Sequence, residues 1–468
     1  MYEDFLKVHN PNHEEYPFFE YAQVFTASSI WYKSGIGKQT ATFDLTIREM
    51  PGERNFMILG GVEEIVSNIL NWKYEPKAVD FLVSKNIISE EFGQYLKNFK
   101  FSGDVWAMPE GTVFFPGEPI VRITAQLQDA NLLTTFLANC VCYPTLFFSK
   151  LARVKLAAGN KSIVSAGATR ANAFENMAKA HRIAYILETG LSVPWAIGRL
   201  DADPSFGSEV TLYHALIKSF PSEKEAFRAI LQSKDNEKND YSTMIDTYDI
   251  KQGLNNFIEV EKEAQQEGKS LCRAVIDSGD ILELSKWVRA ELNKNGLEYI
   301  KVVAASNLDE YKIDYLEKNK APIDMYGAVT EVMNVSDRPV LEAVYKLAQT
   351  VDGNGNIKYA AKLTPGKESL PGAKQVFRNY DKDGKIAYDK IGMEEENLGK
   401  RLLVGYIKKG EIKNDLPSLE EIRNYVKDQL DELPAEMKKL GKAKPYAVKV
   451  SEKLEEILEE VRAEHVLK

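Results

Sequence analysis

Between about residue 130 and residue 345, short apolar runs alternate with longer stretches of helical period, and each run gives way at once to small and polar residues. RAVIDSGD and IKVVAASN show the pattern: a few aliphatic residues, then Asp, Ser, Gly or Asn. Strand, polar loop and helix in repetition restrict the chain to a parallel α/β sheet or barrel, because parallel neighbours need a crossover and the crossing helices cover the sheet. Ligands in such folds sit in the loops after the carboxyl ends of the strands. The segments DSGD (Asp277, Ser278, Gly279, Asp280) and AASN (ending in Ser306 and Asn307) are therefore candidate site loops.

The flanks read differently. From Thr42 to Ile47, Phe43, Leu45 and Ile47 alternate with polar residues, the period of a half-buried strand. A helix is expected from near Gly61, turning Val62, Ile65, Val66 and Ile69 to a core. DVWAMPEGTVFFPGEPIVRI reads as short strands broken by Pro109, Gly111, Pro116, Gly117 and Pro119. After residue 346, VDGNGNIKYAAKL and FRNYDKDGKIAYDKI place turn formers between β-type runs and predict hairpins. Ser418 with Glu421 fits a capping box, and Leu454, Ile457, Leu458 and Val461 form an apolar stripe on a final helix. The expected division is 1–135, mixed α and β; 136–345, the α/β repeat; and 346–468, hairpins with a helical end.

A net charge of -9 repels polyanions, so neither nucleic acid nor an anionic membrane is an expected partner, and a small molecule is. No apolar run is read as approaching the roughly 18 residues that span a bilayer. The start MYEDFLKVHNPNHEEY lacks the basic and apolar regions of a secretory signal, and a cytoplasmic location is expected. Cys140, Cys142 and Cys272 have neither metal-ligand spacing nor a disulfide pattern.

Several motifs fail on chemistry. SGIGKQT lacks the spacing and the Ser or Thr of a phosphate loop and reads as a turn before a strand. Asp352, Asn354 and Asn356 begin like a calcium loop, but the twelfth place holds Leu363; Asp381 and Asp383 before Gly384 fail similarly, and both are expected to be hairpin turns. His214, in VTLYHALIKSF, has the apolar flanks of a core histidine. Asp277 and Asp280, around Ser278 and Gly279, suit an Mg²⁺-bearing polyphosphate or a cation-like transition state; capping of the following helix is the competing use of the same residues.

Taken in order, the blocks resemble one family. RNFMILGGVEEIV, PEGTVFFPGEPIVRI, SKLARVKLAA, IDTYDIKQG, AVIDSGDILELSKWVR, VVAASNLDEYKI, KLTPGKESLPGAKQVFR and LDELPAEMKKLGKAKPYAVKVSEKL are similar to successive segments of the nicotinate phosphoribosyltransferases. The resemblance implies a type II phosphoribosyltransferase: an N-terminal α/β sandwich domain (1–135), an open, incomplete α/β barrel (136–345), and a C-terminal segment (346–468) that returns to the sandwich with a hairpin and helical extension. It also implies a homodimer with active sites at the interface. The implied reaction joins nicotinate to phosphoribosyl pyrophosphate, carried with Mg²⁺, giving nicotinate mononucleotide for NAD salvage. ATP hydrolysis through a phosphorylated histidine is coupled to it.

Residue by residue, His214 matches the phosphorylated histidine and Thr211 the threonine before it; Asp246 and Thr247 match the "DTYD" loop. Asp277, Ser278, Gly279 and Asp280 match "DSGD", Ser306 and Asn307 match "SN", Gly327 and Thr330 match the ends of "GVGT", and Arg170 matches an arginine of "EFGTRRA". The resemblance thus implies His214, Asp246 and Asp277 as catalytic, the others as substrate- or phosphate-binding, and no metal ligated directly by protein. The departures fall in the same places: Ser165, Ala166 and Thr169 in SAGATRA, Tyr21 and Gln23 in YAQVFT, Val275 where the family has arginine, Val329 where it has glycine, and an insertion near 199–209.

Three readings follow. One is a working nicotinate phosphoribosyltransferase in which Tyr21, Arg199 or Arg273 takes over lost roles. The second is a degenerate paralogue that binds a partner or nucleotide without turnover, and the third an enzyme with a changed acceptor. A site still lined by His214, Asp246, Asp277 and at least two arginines favours an enzyme.

Overall fold

In the computed structural model, residues 16–18, 20, 22–164, 167–191, 196, 198, 200, 210–233 and 241–466 are described. Tyr21, Ser165, Ala166, Arg199 and residues 201–209 of the insertion lie outside them. The chain forms two compact units, one of residues 1–149 with 340–468 and one of residues 150–339.

In the first unit the alternating segment becomes a strand, Thr40–Ile47, inside a seven-stranded antiparallel sheet between Ala343–Val351 and Val121–Gln126. Its polar residues Thr42 and Asp44 are buried as well, so the middle of the expected half-buried strand is covered on both faces. Thr42 shares a hydrogen bond with Thr124 at 3.0 Å, and the Asp44 carboxylate meets the Lys374 ammonium at 2.6 Å. Lys374 also donates to the carbonyls of Leu370, Pro371 and Gly372, so the buried charge is paired and solvated by protein.

Lys374–Tyr380 and Ile386–Met393 are the antiparallel core of a four-stranded sheet in this unit. Asp352 and Asp381 each accept backbone N–H groups two and four residues on, which makes both failed calcium motifs hairpin turns. The helix Val62–Leu70 buries Val62, Ile65, Val66 and Ile69. Gly61 precedes it at φ 95°, and a Cβ there would lie 2.1 Å from the Cys140 carbonyl oxygen, so only glycine fits. SGIGKQT forms a short 3₁₀ turn before the first strand, and Ser418 with Glu421 closes a reciprocal capping box.

One expectation is corrected. The helical stretch Leu127–Ala158 contains an 18-residue window of mean hydropathy 1.4, long and apolar enough to cross a bilayer, and 67% of that window is buried in the protein. Burial on this scale is that of a core helix.

The second unit holds the strand, loop and helix repeat. Its strands are β1 (Ser162–Val164), β2 (Val210–Thr211), β3 (Tyr241–Met244), β4 (Arg273–Ile276), β5 (Lys301–Ala304) and β6 (Met325–Gly327). They pair in parallel in the order β1-β6-β5-β4-β3-β2. Among the described residues β1 and β2 do not pair with each other, so the curled sheet is an open barrel. The helices α1 (His214–Lys218), α2 (Glu223–Gln232), α3 (Ile250–Gln266), α4 (Ile281–Lys294) and α5 (Glu310–Lys318) follow strands β2 to β5. Ala274, Ile276 and Val302 pack with helix residues such as Phe227, Phe257 and Val288, while Val164, Met244, Val275, Val303 and Met325 form a separate apolar cluster from five strands. Strand alternation thus gives one layer of core on each face of the sheet.

Lys150 and Arg153, from the SKLARV segment, are both buried here. Lys150 pairs with Glu310 at 2.6 Å and Asp337 at 3.0 Å, and Arg153 with Glu310 at 3.1 Å. Both cations are internal counter-ions of the Glu310 carboxylate at the start of the helix after β5.

Candidate active site

All six parallel strands end at one edge of the second unit, and the sequence-predicted residues follow those ends. Thr211 closes β2 and His214 opens α1 three residues on; Asp246 and Thr247 follow β3, Asp277 to Asp280 follow β4, and Ser306 with Asn307 follow β5. Gly327 ends β6, Thr330 opens the short helix behind it, and Arg170 ends a 3₁₀ turn after β1.

Five of these residues form a connected group. His214 is half-buried, with Nδ1 3.1 Å from the Thr247 hydroxyl and Nε2 3.8 Å from the Asp277 carboxylate. It is therefore no core histidine. The Asp246 Oδ2 accepts from the Asp277 backbone N–H at 2.9 Å and from the Ser278 hydroxyl at 2.8 Å. The Asp246 Oδ1 is buried and has no hydrogen-bond partner among the described residues. Burial, and next the Asp246 charge, push the Asp277 carboxyl above its usual range, while His214 and the Ser306 N–H pull it back. The group is thus two carboxylates against one imidazole, with excess negative charge.

The loops are shaped for close approach. Gly279 has φ 83°, and Ser306 and Asn307 take φ 78° and 44°, a left-handed pair that turns the chain sharply after β5. Asp280 accepts from the Glu283 N–H at 3.2 Å and caps α4, so the competing use of this loop is realised at Asp280 and not at Asp277. Val329, where the family has glycine, takes φ -115° and ψ -91°, so its φ is not the positive one that favours glycine.

Other residues are placed apart. Arg170 and Ser278 are exposed, Thr211 and Thr330 half-buried, and none of Arg170, Thr211, Gly327 or Thr330 is hydrogen-bonded to the His214 group among the described residues. Arg273 is the first residue of β4 and Asp277 follows its last, about 13 Å further along the strand. Arg273 shares its sheet face with Val275, which is fully buried in the apolar cluster, so it lies beneath that cluster and cannot serve as the replacement at the loop. Gln23 is exposed in the other unit. Two residues escaped the sequence reading: Tyr213 and Tyr248 are 68% and 64% exposed and flank the His214–Thr247 contact. Their only signal was adjacency to those two residues. No group of three or more His, Cys, Asp or Glu placed to hold a metal ion occurs among the described residues.

The chain matches the family models of the nicotinate phosphoribosyltransferase N-terminal domain over residues 23–142 and C-terminal domain over residues 399–458. It is 33% identical to the nicotinate phosphoribosyltransferase pncB2 of Mycobacterium tuberculosis over 437 residues, covering 92% of this chain and 91% of that protein. It is 30% identical to the nicotinate phosphoribosyltransferase of Bacillus subtilis over 462 residues, again 92% and 91% of the two chains. Among solved structures, human nicotinic acid phosphoribosyltransferase superposes with a TM-score of 0.77 at 22% identity, covering 94% of this chain and 99% of that one. The nicotinate-nucleotide pyrophosphorylase of Pyrococcus furiosus gives 0.71 at 22% identity, with 91% and 98% covered.

Proposed function

We propose, from the premise that this chain belongs to the nicotinate phosphoribosyltransferase family, that it joins nicotinate to phosphoribosyl pyrophosphate and releases nicotinate mononucleotide and pyrophosphate for NAD salvage. The observation that carries this reading is the His214–Asp277–Asp246–Thr247 group at the carboxyl edge of the open barrel. Asp277, half-exposed there, offers its carboxylate to the positive charge that develops on the ribosyl carbon as pyrophosphate departs. The N–H groups of the tight turns at Gly279 and Asn307 suit phosphate oxygens.

His214 takes the phosphoryl group of ATP in this reading, and the half-buried imidazole has the access that step requires. The negative excess of Asp246 and Asp277 fits a substrate that brings its own cation. Mg²⁺ bound by the pyrophosphate oxygens would neutralise the leaving group, without direct ligation by protein. We further infer a homodimer in the cytoplasm, on the family resemblance alone.

One observation favours a changed acceptor: Val275 puts an apolar side chain where the family has arginine, and its neighbours Val303 and Met325 are apolar too. Purified protein incubated with phosphoribosyl pyrophosphate, Mg²⁺ and a panel of pyridine acceptors, with and without ATP, tests both readings. Nicotinate mononucleotide formed faster with ATP, and no ATP effect in His214→Ala, is the expected result. Product from another pyridine alone would establish the second reading, and no product from any acceptor would overturn both in favour of a protein that binds without turnover.

A further inference from the structure

Strand β3 lies between β4 and β2 in the sheet, so the loops that carry Asp277 and His214 start two strand spacings apart, roughly 10 Å. Their side chains nevertheless meet at 3.8 Å, across the end of β3. The two residues at that place are Asp246 and Thr247, and they face opposite ways. Asp246 holds the β4 loop through the Asp277 N–H and the Ser278 hydroxyl, at 2.9 and 2.8 Å. Thr247 holds the imidazole that follows β2, at 3.1 Å from Nδ1.

We propose that Asp246 and Thr247 are positioning residues, a two-residue brace at the end of β3 that sets the separation of His214 from Asp277 and the tautomer of the imidazole. Asp246 thereby leaves the set of groups that act on substrate: its Oδ2 is spent on two donors of the neighbouring loop, and its Oδ1 is buried. The tautomer follows from what each partner can do. A carboxylate only accepts, and at 3.8 Å, too long for a hydrogen bond, its charge favours hydrogen on the ring nitrogen that faces it, Nε2. Nδ1 then holds the lone pair, and the Thr247 O–H donates to it. Without that hydroxyl the ring is free to rotate or to exchange its proton between nitrogens, and the nitrogen that faces the site is no longer fixed.

This inference rests on the transferase reading for its kinetic consequence but not for its structural one, so the test has two arms. The structural arm is the ¹⁵N spectrum of histidine-labelled protein without substrates. The chain has five histidines, and the His214 signals are those lost in His214→Ala. Wild type is expected in the Nε2–H tautomer, Thr247→Val in a mixture of tautomers, and Thr247→Ser, which restores the hydroxyl, in the Nε2–H form again. The kinetic arm is transferase turnover: Thr247→Val and Asp246→Ala are each expected to lower kcat by about 100-fold, with KM for phosphoribosyl pyrophosphate changed much less, because neither side chain touches substrate. If Asp246→Ala fails to fold by circular dichroism, Asp246→Asn, which keeps the shape and weakens the acceptor of both donors, takes its place with the same split expected. A wild-type tautomer in Thr247→Val overturns the proposal, and so does a KM effect larger than the kcat effect in folded Asp246→Ala. If wild type makes no product, the transferase reading fails and the tautomer measurement still decides the brace.

Discussion

Asp277 is held above the ordinary carboxyl range first by burial and then by the Asp246 charge, and the direction of that shift fixes how it acts on stability. A carboxyl whose folded value is raised binds its proton more tightly in the fold than in the unfolded chain. The fold therefore bears no cost below the unfolded value of about 4, loses stability as pH rises through the folded value, and keeps that loss above it. Because 38% of the side chain is exposed, solvent screens much of the repulsion. Asp277→Asn is accordingly expected to melt with wild type near pH 3.5 and about 1–2 °C above it at pH 7, read by calorimetry; equal or lower stability at pH 7 would mean that the two carboxylates do not oppose each other. At this scale the sequence was informative where chemistry is local. The Asp277–Asp280 run after an apolar strand, and the helix that starts near Gly61, could be read from residue types and spacing. That Val275 points into an apolar cluster while Ala274 faces the helices could not, because alternation does not say which face is which.

Elements show a second buried acid, with the opposite surroundings. Arg378 and Asp389 face each other on paired strands of the four-stranded sheet, 2.7 Å apart and fully buried, and Arg378 also donates to the Val113 carbonyl and to Gln429. Tyr446 donates to the same Asp389 at 3.1 Å. Glu118, also fully buried, accepts from the Phe115 N–H at 2.9 Å and lies beside Asp389. One guanidinium cannot neutralise two carboxylates, so burial first and Asp389 next hold Glu118 well above its usual value, in the direction that favours its protonated form. By the same sign as for Asp277, stability falls as pH rises above the ordinary glutamate value, by at most about 1.4 kcal/mol per pH unit. Glu118→Gln, which mimics the protonated acid, is expected to abolish that slope and to stabilise the protein at pH 8, measured by urea unfolding at several pH values. An unchanged slope would mean that Glu118 is ionised beside Asp389. The hairpins, the capping box and the final helix were legible because their signals are turn and cap residues a few positions apart. The Asp44–Lys374 and Glu118–Asp389 pairings were not, since each joins strands far apart in sequence.

For the whole molecule, the repeat of strand, polar loop and helix was enough to give a parallel α/β sheet or barrel and to put the candidate site at the strand ends, and the family resemblance chose the open barrel between them. Strand order was not legible, and it is strand order that sets β3 between β4 and β2 and makes Asp246 and Thr247 neighbours of both Asp277 and His214. The apolar stretch Leu127–Ala158 was underestimated because Thr134, Asn139 and Pro144 break the apolar run in sequence, whereas in the fold they lie on one helix that is mostly buried. The central claim is that the His214–Asp277 group at the barrel edge carries out phosphoribosyl transfer to nicotinate. Its most direct test is the steady-state rate of nicotinate mononucleotide formation by wild type and by Asp277→Ala, each shown to be folded by circular dichroism. Measurable product from wild type and a rate at least about 100-fold lower in the variant is the result predicted; product at equal rates, or none from folded wild type, would contradict it.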